Sequence, residues 1–390
     1  MDNSDSFSQL LDWLDLKGVA VEPRSTPSAA RGLFAVQRIP PSTVLFTVPA
    51  HRLLNCRTLA PHYPPGLDAV QLIALHLSLY RPRYPEKSLD PLFGPYITTL
   101  PQDFDTHPLT CLLRGADIDE LPPSVGGALE RLKSRYLRDK STVEAYAEKH
   151  SLSLTCDDFL WAWLNVNTRC IFHRMKRERG DADNITLCPI LDLANHVVTG
   201  PCMTPRKTAT EIANTAPIAR LGDAFTLLSP DTVTEPGTEL HLTYGAHSNR
   251  TLFVEYGFVI PADGARAEVD VQDLVETLFS NDKKEILEDA GYWGDWKLDA
   301  SPAVSYRLIT ALRLLHIDSD SDLKRWWDTV AGLVETVSEA NERAWKQTVN
   351  DTCSAVITRA EKHRTVSGWA VNDAVRELWA EETRVCLSHL

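Results

Sequence analysis

Apolar positions recur at helical spacing near the start of the chain, where Phe7, Leu10, Leu11 and Leu14 share one face, so the pattern predicts an amphipathic helix over 5–16. A loop rich in Pro, Ser and Ala follows. The stretch RGLFAVQRIPPSTVLFTVPAHRLL (31–54) reads as two short strands joined by a Pro-Pro turn. From 67 to about 168 the period is helical again, in LDAVQLIALHLSLY, LERLKSRYLRDKSTVEAYAEKH and CDDFLWAWLNVNTRCIF. Between the first two lies a Pro-punctuated loop with aromatic anchors, DPLFGPYITTLPQDFDTHPL. Strand texture returns at 185–191, in DAFTLLS and in TELHLTYG. Beyond 263 the chain is read as helical to its end. There SPAVSYRLITALRLL predicts a helix opened by Ser301 as cap and Pro302 as first residue. Trp161, Trp163, Trp326, Trp327 and Trp345 recur at helical spacing and are expected in the core. The pattern predicts an α+β fold: a β-rich module split by a helical insert, then an all-helical lobe.

The 390 residues are too many for one comfortable core. With 43% hydrophobic and 24% charged residues, the composition is that of a soluble globular protein. No apolar run approaches the roughly 18 residues a membrane helix needs, so no membrane association is expected. The acidic, amphipathic MDNSDSFSQLLDWLDL does not read as a secretory signal. A net charge of −13 argues against nucleic acid, since neutralising phosphates needs surplus Lys and Arg, and it favours a basic protein as partner. Eight scattered cysteines form no CxxC or CxC, which favours a reducing compartment and disfavours a zinc ribbon. Cys188, His196 and Cys202 have no usual structural zinc spacing, so no metal is expected.

The eighteen glycines never form GxG, and GxxxxGK[ST], GxSxG and HExxH are all missing. Chemistry must therefore come from another kind of site. CPILDLANHVVTG (188–200) sets Asp192, Asn195 and His196 in an apolar run, where polar groups need partners. TELHLTYGAHSNRTLFVEYGFV (238–259) adds two Tyr-Gly pairs, Tyr244-Gly245 and Tyr256-Gly257, at the ends of elements. Together with RGLFA, these motifs resemble the SET-domain methyltransferases in order and kind. The insert and the helical lobe make the branch typified by the Rubisco large-subunit lysine methyltransferase the nearer likeness, and it covers nearly the whole chain. That likeness divides the chain into an N-terminal helix and first SET part (1–66), the insert (67–168), a second SET part with the cofactor and catalytic motifs (169–263) and a substrate-binding lobe (264–390).

The resemblance implies S-adenosylmethionine as cofactor and a lysine of a non-histone protein as acceptor. It implies that Gly32 and Leu33 bring backbone against the cofactor, glycine suiting close approach, and that Arg169 lies by the cofactor's carboxylate. Asn195 would hold the amino-acid end by its amide and His196 the adenine by its backbone. Pro189 and Asp192 match the start of the P-x-x-D-x-x-N-H run. Tyr244 matches the tyrosine of the methyl-transfer channel, the catalytic residue, and Tyr256 and Phe258 the aromatics around cofactor and substrate. The chain departs from the pattern at Ala29, Ala30 and Arg31, where relatives often carry an acid, and at Ile171, where they often carry phenylalanine. A basic loop, HRMKRERG (173–180), has no legible purpose.

The chemistry suits such residues. A lysine amine with pKa near 10.4 must lose its proton before attacking a methyl group, which costs about 4.6 kcal/mol at pH 7. Desolvation and a nearby sulfonium lower that figure, and a tyrosine hydroxyl can aim the lone pair. Three other readings stand beside this one: a histidine acceptor, a small amine acceptor, and a non-catalytic adaptor that keeps the fold. For individual residues the plain alternatives are a satisfied turn at Asn195-His196 and a carboxylate partner for Arg169 at its helix end. A histone-directed enzyme is disfavoured, because no cysteine cluster follows the second SET part. The expected partner is a basic or ribosomal, translation-related protein, met by a monomer in the cytoplasm or nucleus.

Overall fold

The computed structural model describes residues 3–26, 31–176, 178, 180–212, 218–260, 266–301, 303–363 and 368–390. Ala29, Ala30, Arg177, Arg179 and Pro302 lie outside them. The chain forms two compact units, Met1–Phe104 with Lys133–Ala246, and Asp105–Leu132 with His247–Leu390.

The first unit opens with the helix Asn3–Trp13, which buries Phe7 and Leu10, with Leu14 just beyond it also buried. Among the described residues eight short strands follow: β1 Val21–Arg24, β2 Gly32–Ala35, β3 Val44–Val48, β4 Ile171–Phe172, β5 Ile185–Thr186, β6 Thr204–Pro205, β7 Phe225–Leu228 and β8 Glu239–Leu240. They make three antiparallel sheets, ordered β1-β2-β8, β3-β7-β6 and β4-β5. The two strands expected within 31–54 both form, yet each joins a different sheet. β1 occupies a stretch that read as loop; as an edge strand it tolerates Pro23, which has no N–H to give. Leu33 faces Pro23 on one side and Leu240 on the other, so β2 is the central strand.

The helix Ala69–Leu79 is buried nearly all round and packs on Cys156–Arg169. Asp68 caps the first with a reciprocal Gln71 contact, and the Thr155 hydroxyl caps the second. Between them the indole of Trp163 donates to Asp139 Oδ2 at 3.0 Å, which lets a large side chain bury completely with its polar atom satisfied.

Strand structure at 185–191 stops after Thr186. Pro189 has no donor, and Ile190 adopts φ 71, so a 3-10 turn over Leu191–Leu193 replaces the expected strand. TELHLTYG is likewise strand only at Glu239–Leu240, with a parallel bridge from Leu242 to His196 beyond it.

The second unit holds the helices Asn281–Asp289, Tyr306–Leu315, Asp320–Val330, Glu339–Lys362 and Asn372–Leu387. Its core gathers Trp296, Trp326, Leu308, Leu312, Val349 and Val356. Among the described residues the lobe is helical apart from one two-stranded sheet, β9 Glu268–Asp270 with β10 Lys297–Asp299, whose three-residue strands are too short to show a period. Ser305, not Ser301, caps the helix at 306, accepting from the Leu308 N–H. Of the five tryptophans expected inside, Trp327 is 42% exposed; next to the buried Trp326 it points off the core face of its helix. Among the described residues no helix is long and apolar enough to cross a membrane.

Candidate active site

The strained turn at Ile190 delivers the chain to the site. A β-branched residue in the left-handed region costs on the order of 1–3 kcal/mol, and here its apolar side chain is fully buried in return. After the turn Asn195 and His196 run extended beside Leu242: the Leu242 N–H donates to Asn195 O at 2.9 Å, and the Val197 N–H to Leu242 O at 3.0 Å. That pairing brings Tyr244 to His196. The Tyr244 N–H donates to His196 Nδ1 at 3.1 Å, and the two rings stack with centroids 5.1 Å apart at 29°. Because Nδ1 accepts a backbone N–H, the imidazole is neutral with its proton on Nε2. The Tyr244 hydroxyl donates to Ala194 O at 2.8 Å. Its proton is thereby directed to Ala194 O.

Asn195 is held from two sides. Its Nδ2 donates to Arg31 O at 3.0 Å and to Glu239 Oε1 at 2.7 Å. Both amide hydrogens are spent, and among the described residues no donor reaches the amide oxygen. The satisfied-turn reading is thus half right: the Asn195 side chain does tie down backbone, with an acceptor left over.

Charge concentrates just below. Arg169 donates from Nη1 to Asp192 O at 2.5 Å and lies 3.6 Å from the Asp192 carboxyl, the helix-end pairing that the sequence allowed. Tyr96 donates to Asp192 Oδ2 at 3.1 Å. Burial pushes the Asp192 carboxyl up, against the pull of Arg169 and Arg31. Arg31 is itself pushed down by burial and by Arg169, and its guanidinium reaches Thr99 O at 2.5 Å. Among the described residues Asp192 is the carboxyl that opposes both guanidiniums, and Glu239 lies on the far side of the Asn195 amide.

Gly32 has a reason of its own. A Cβ there would stand 2.2 Å from Glu239 Oε1 and 2.9 Å from Thr26 Cγ2, so the carboxylate fills the space that a side chain would need. Leu33 is fully buried. Gly32, Leu33, Arg169, Asp192, Asn195, His196 and Tyr244 all belong to the first unit, and hydrogen bonds or strand pairing link them into one neighbourhood. Tyr256 and Phe258 belong to the second unit. There Tyr256 lies 5.9 Å from His247 and 6.3 Å from Phe258 by ring centroids, and burial and Glu255 push its phenol up. Gly257, at φ 83, ends the turn of helix at Leu252–Tyr256, and a Cβ there would crowd His107 at 3.1 Å.

Glu239, Arg31 and Tyr96 were not singled out as site residues from sequence. Arg31 was noted as a departure, and the structure makes it a second cation beside Arg169. Glu239 carried no signal, because its importance comes from strand pairing across the sheet. Among the described residues no group of three or more His, Cys, Asp or Glu side chains is placed to hold a metal ion.

Comparisons with known proteins bear on the fold and the family. Residues 276–362 match the family described as Rubisco LSMT substrate-binding. The ribosomal lysine N-methyltransferase set11 of Schizosaccharomyces pombe is 28% identical over 329 residues, covering 83% of this chain and 78% of that protein. SET domain-containing protein 4 of Mus musculus is 27% identical, covering 97% of this chain and 89% of its own length. Ribosomal lysine N-methyltransferase 2 of Saccharomyces cerevisiae is 32% identical over 179 residues, 42% of this chain and 36% of that one. Among solved structures, the SET domain of LSMT bound to lysine and AdoHcy superimposes with a TM-score of 0.68 at 20% identity, covering 99% of this chain and 90% of the other. With the fold, the C-terminal match and these relatives together, the chain is similar over nearly its whole length to SET-domain proteins and shares the fold of Rubisco LSMT.

Proposed function

We propose that this chain is a protein lysine N-methyltransferase that takes its methyl group from S-adenosylmethionine and acts on a lysine of a ribosomal protein. The observation that carries the reading is Tyr244, whose hydroxyl is anchored on Ala194 O while its ring stacks on His196, in the same segment that presents Asn195. Relatives named as ribosomal lysine N-methyltransferases in two yeasts support the acceptor class.

The residues fit the cofactor. Asn195 offers an amide oxygen to an ammonium, and the guanidiniums of Arg31 and Arg169 suit a carboxylate. Gly32 and Leu33 belong to the strand that follows Arg31, His196 offers its backbone, and Asp192 holds Arg169 in place. We assign Tyr256 and Phe258 to the aromatic surroundings of cofactor and substrate. The chemistry that S-adenosylmethionine supplies when bound is an electrophilic methyl group on a positively charged sulfur.

Tyr244 supplies position, not a proton sink. With its own proton committed to Ala194 O, its oxygen accepts from the lysine amine and leaves the nitrogen lone pair free to be aimed. Orientation of this kind is worth several kcal/mol, enough to matter against the roughly 4.6 kcal/mol of deprotonation at pH 7. His196 keeps the phenol from rotating, by stacking and by the Tyr244 N–H. The lobe 264–390 engages the protein substrate in this scheme. The acceptor is a non-histone protein of the cytoplasm or nucleus, and the enzyme works as a monomer.

The test is incubation of the purified chain with methyl-labelled S-adenosylmethionine and ribosomal proteins, followed by mass mapping of the labelled atom. Label on a lysine Nζ is the expected result. Label on histidine or on a small amine would redirect the acceptor, and no transfer together with no saturable cofactor binding would make the chain an adaptor.

A further inference from the structure

Glu239 ties three distant segments together. Its Oε1 accepts from Asn195 Nδ2 at 2.7 Å, lies over Gly32 where any Cβ would stand only 2.2 Å away, and so bridges β8, β2 and the 194–196 segment. Its second oxygen lies 3.6 Å from His241 Nε2, and the side chain is 21% exposed. A primary amide has two unlike faces, an NH2 that donates and an oxygen that accepts, and the torsion exchanging them is soft. Arg31 O can take one hydrogen of Asn195. Only a second acceptor, Glu239, takes the other and fixes the NH2 inward.

We propose that Glu239 is a positioning residue that locks the Asn195 amide with its oxygen outward, and so makes the site select for the α-ammonium of the cofactor's amino-acid end. Without that lock the amide can turn its NH2 toward the ammonium, donor against donor. The inference rests on the cofactor reading above. It also explains Gly32 as the residue that leaves room for this carboxylate.

The experiment compares the full chain with Glu239→Ala, Glu239→Asp and Glu239→Gln, using three probes in a calorimetric titration. These are S-adenosylhomocysteine, its analogue with hydrogen in place of the α-amine, and its analogue with hydrogen in place of the α-carboxylate. Wild type should lose about ten- to a hundredfold in affinity when the amine is removed, the worth of one charge-assisted hydrogen bond. In Glu239→Ala that loss should shrink to about threefold or less, while the loss on removing the carboxylate stays as in wild type. Glu239→Asp keeps the charge but withdraws the acceptor and should behave like Glu239→Ala. Glu239→Gln can still accept from Asn195 and should restore the selectivity. Full amine discrimination in the alanine and aspartate variants would overturn the proposal, as would equal weakening toward all three probes, the mark of a merely structural role. If wild type bound none of them, the cofactor reading itself would fall and this inference with it; binding with unchanged discrimination would remove the inference alone.

Discussion

Glu382 offers a quantitative test of the helical lobe. It lies on the helix Asn372–Leu387, 5% exposed, and among the described residues its Oε2 has no hydrogen-bond partner. Burial pushes its carboxyl from the ordinary 4.5 to about 8; Arg359 pulls it down, and Asp273, Asp270 and Glu381 push it up. Arg359 is already engaged by Asp273 at 2.5 Å. An acid whose folded pKa is raised binds its proton more tightly in the folded chain. Stability is therefore unaffected below pH 4.5, is lost as pH rises from 4.5 toward 8, and levels off above that. At 1.36 kcal/mol per pK unit, the lobe should lose roughly 3 kcal/mol between pH 6 and pH 9 from this group. Urea unfolding at the two pH values measures the difference, and Glu382→Gln should remove most of it. A glutamine variant as pH-dependent as wild type would show that the carboxyl is not the group responsible and refute the reasoning.

Three further outcomes follow from packing and charge. Gly32→Ala should destabilise the first unit by about 1–3 kcal/mol in denaturant melts, and adding Glu239→Ala should recover part of that loss, since the closest clash is with Glu239. Asp192→Asn should keep the Tyr96 contact yet leave Arg31 and Arg169 without an opposing charge, lowering stability by about 3 kcal/mol. Trp296→Ala should cost about 3–5 kcal/mol, because the indole is fully buried in the second unit's core and its N–H is satisfied by Tyr292 O; a thermal melt reads it.

Much of the fold was legible in the chain because long periodic segments announce themselves. Ala69–Leu79 is apolar nearly all round, and Pro123–Lys149 and Cys156–Arg169 carry a one-sided apolar period. The short strands were less legible. β1 hides behind Pro23, β9 and β10 are three residues each, and the run after Thr186 looks like strand until Pro189 and Ile190 break it. In the site, Asn195 and His196 stood out as polar groups in an apolar run and Tyr244 as part of a Tyr-Gly pair, and the structure brings the three together. Glu239 could not be found this way. It is an ordinary acid in an alternating stretch, and its contacts to Gly32 and Asn195 come from pairing across long sequence distances. Arg31 was visible only as a departure from the family's pattern, and its meaning came from Arg169 and Asp192 nearby.

The most direct test of the central claim is the rate of methyl transfer from S-adenosylmethionine to a lysine, for wild type against Tyr244→Phe, with cofactor affinity measured alongside. Loss of the hydroxyl removes the acceptor that aims the amine but leaves the His196 stack. The variant should therefore bind cofactor within about threefold of wild type while transferring methyl about a hundredfold or more slowly. Equal rates for the two proteins would contradict the account.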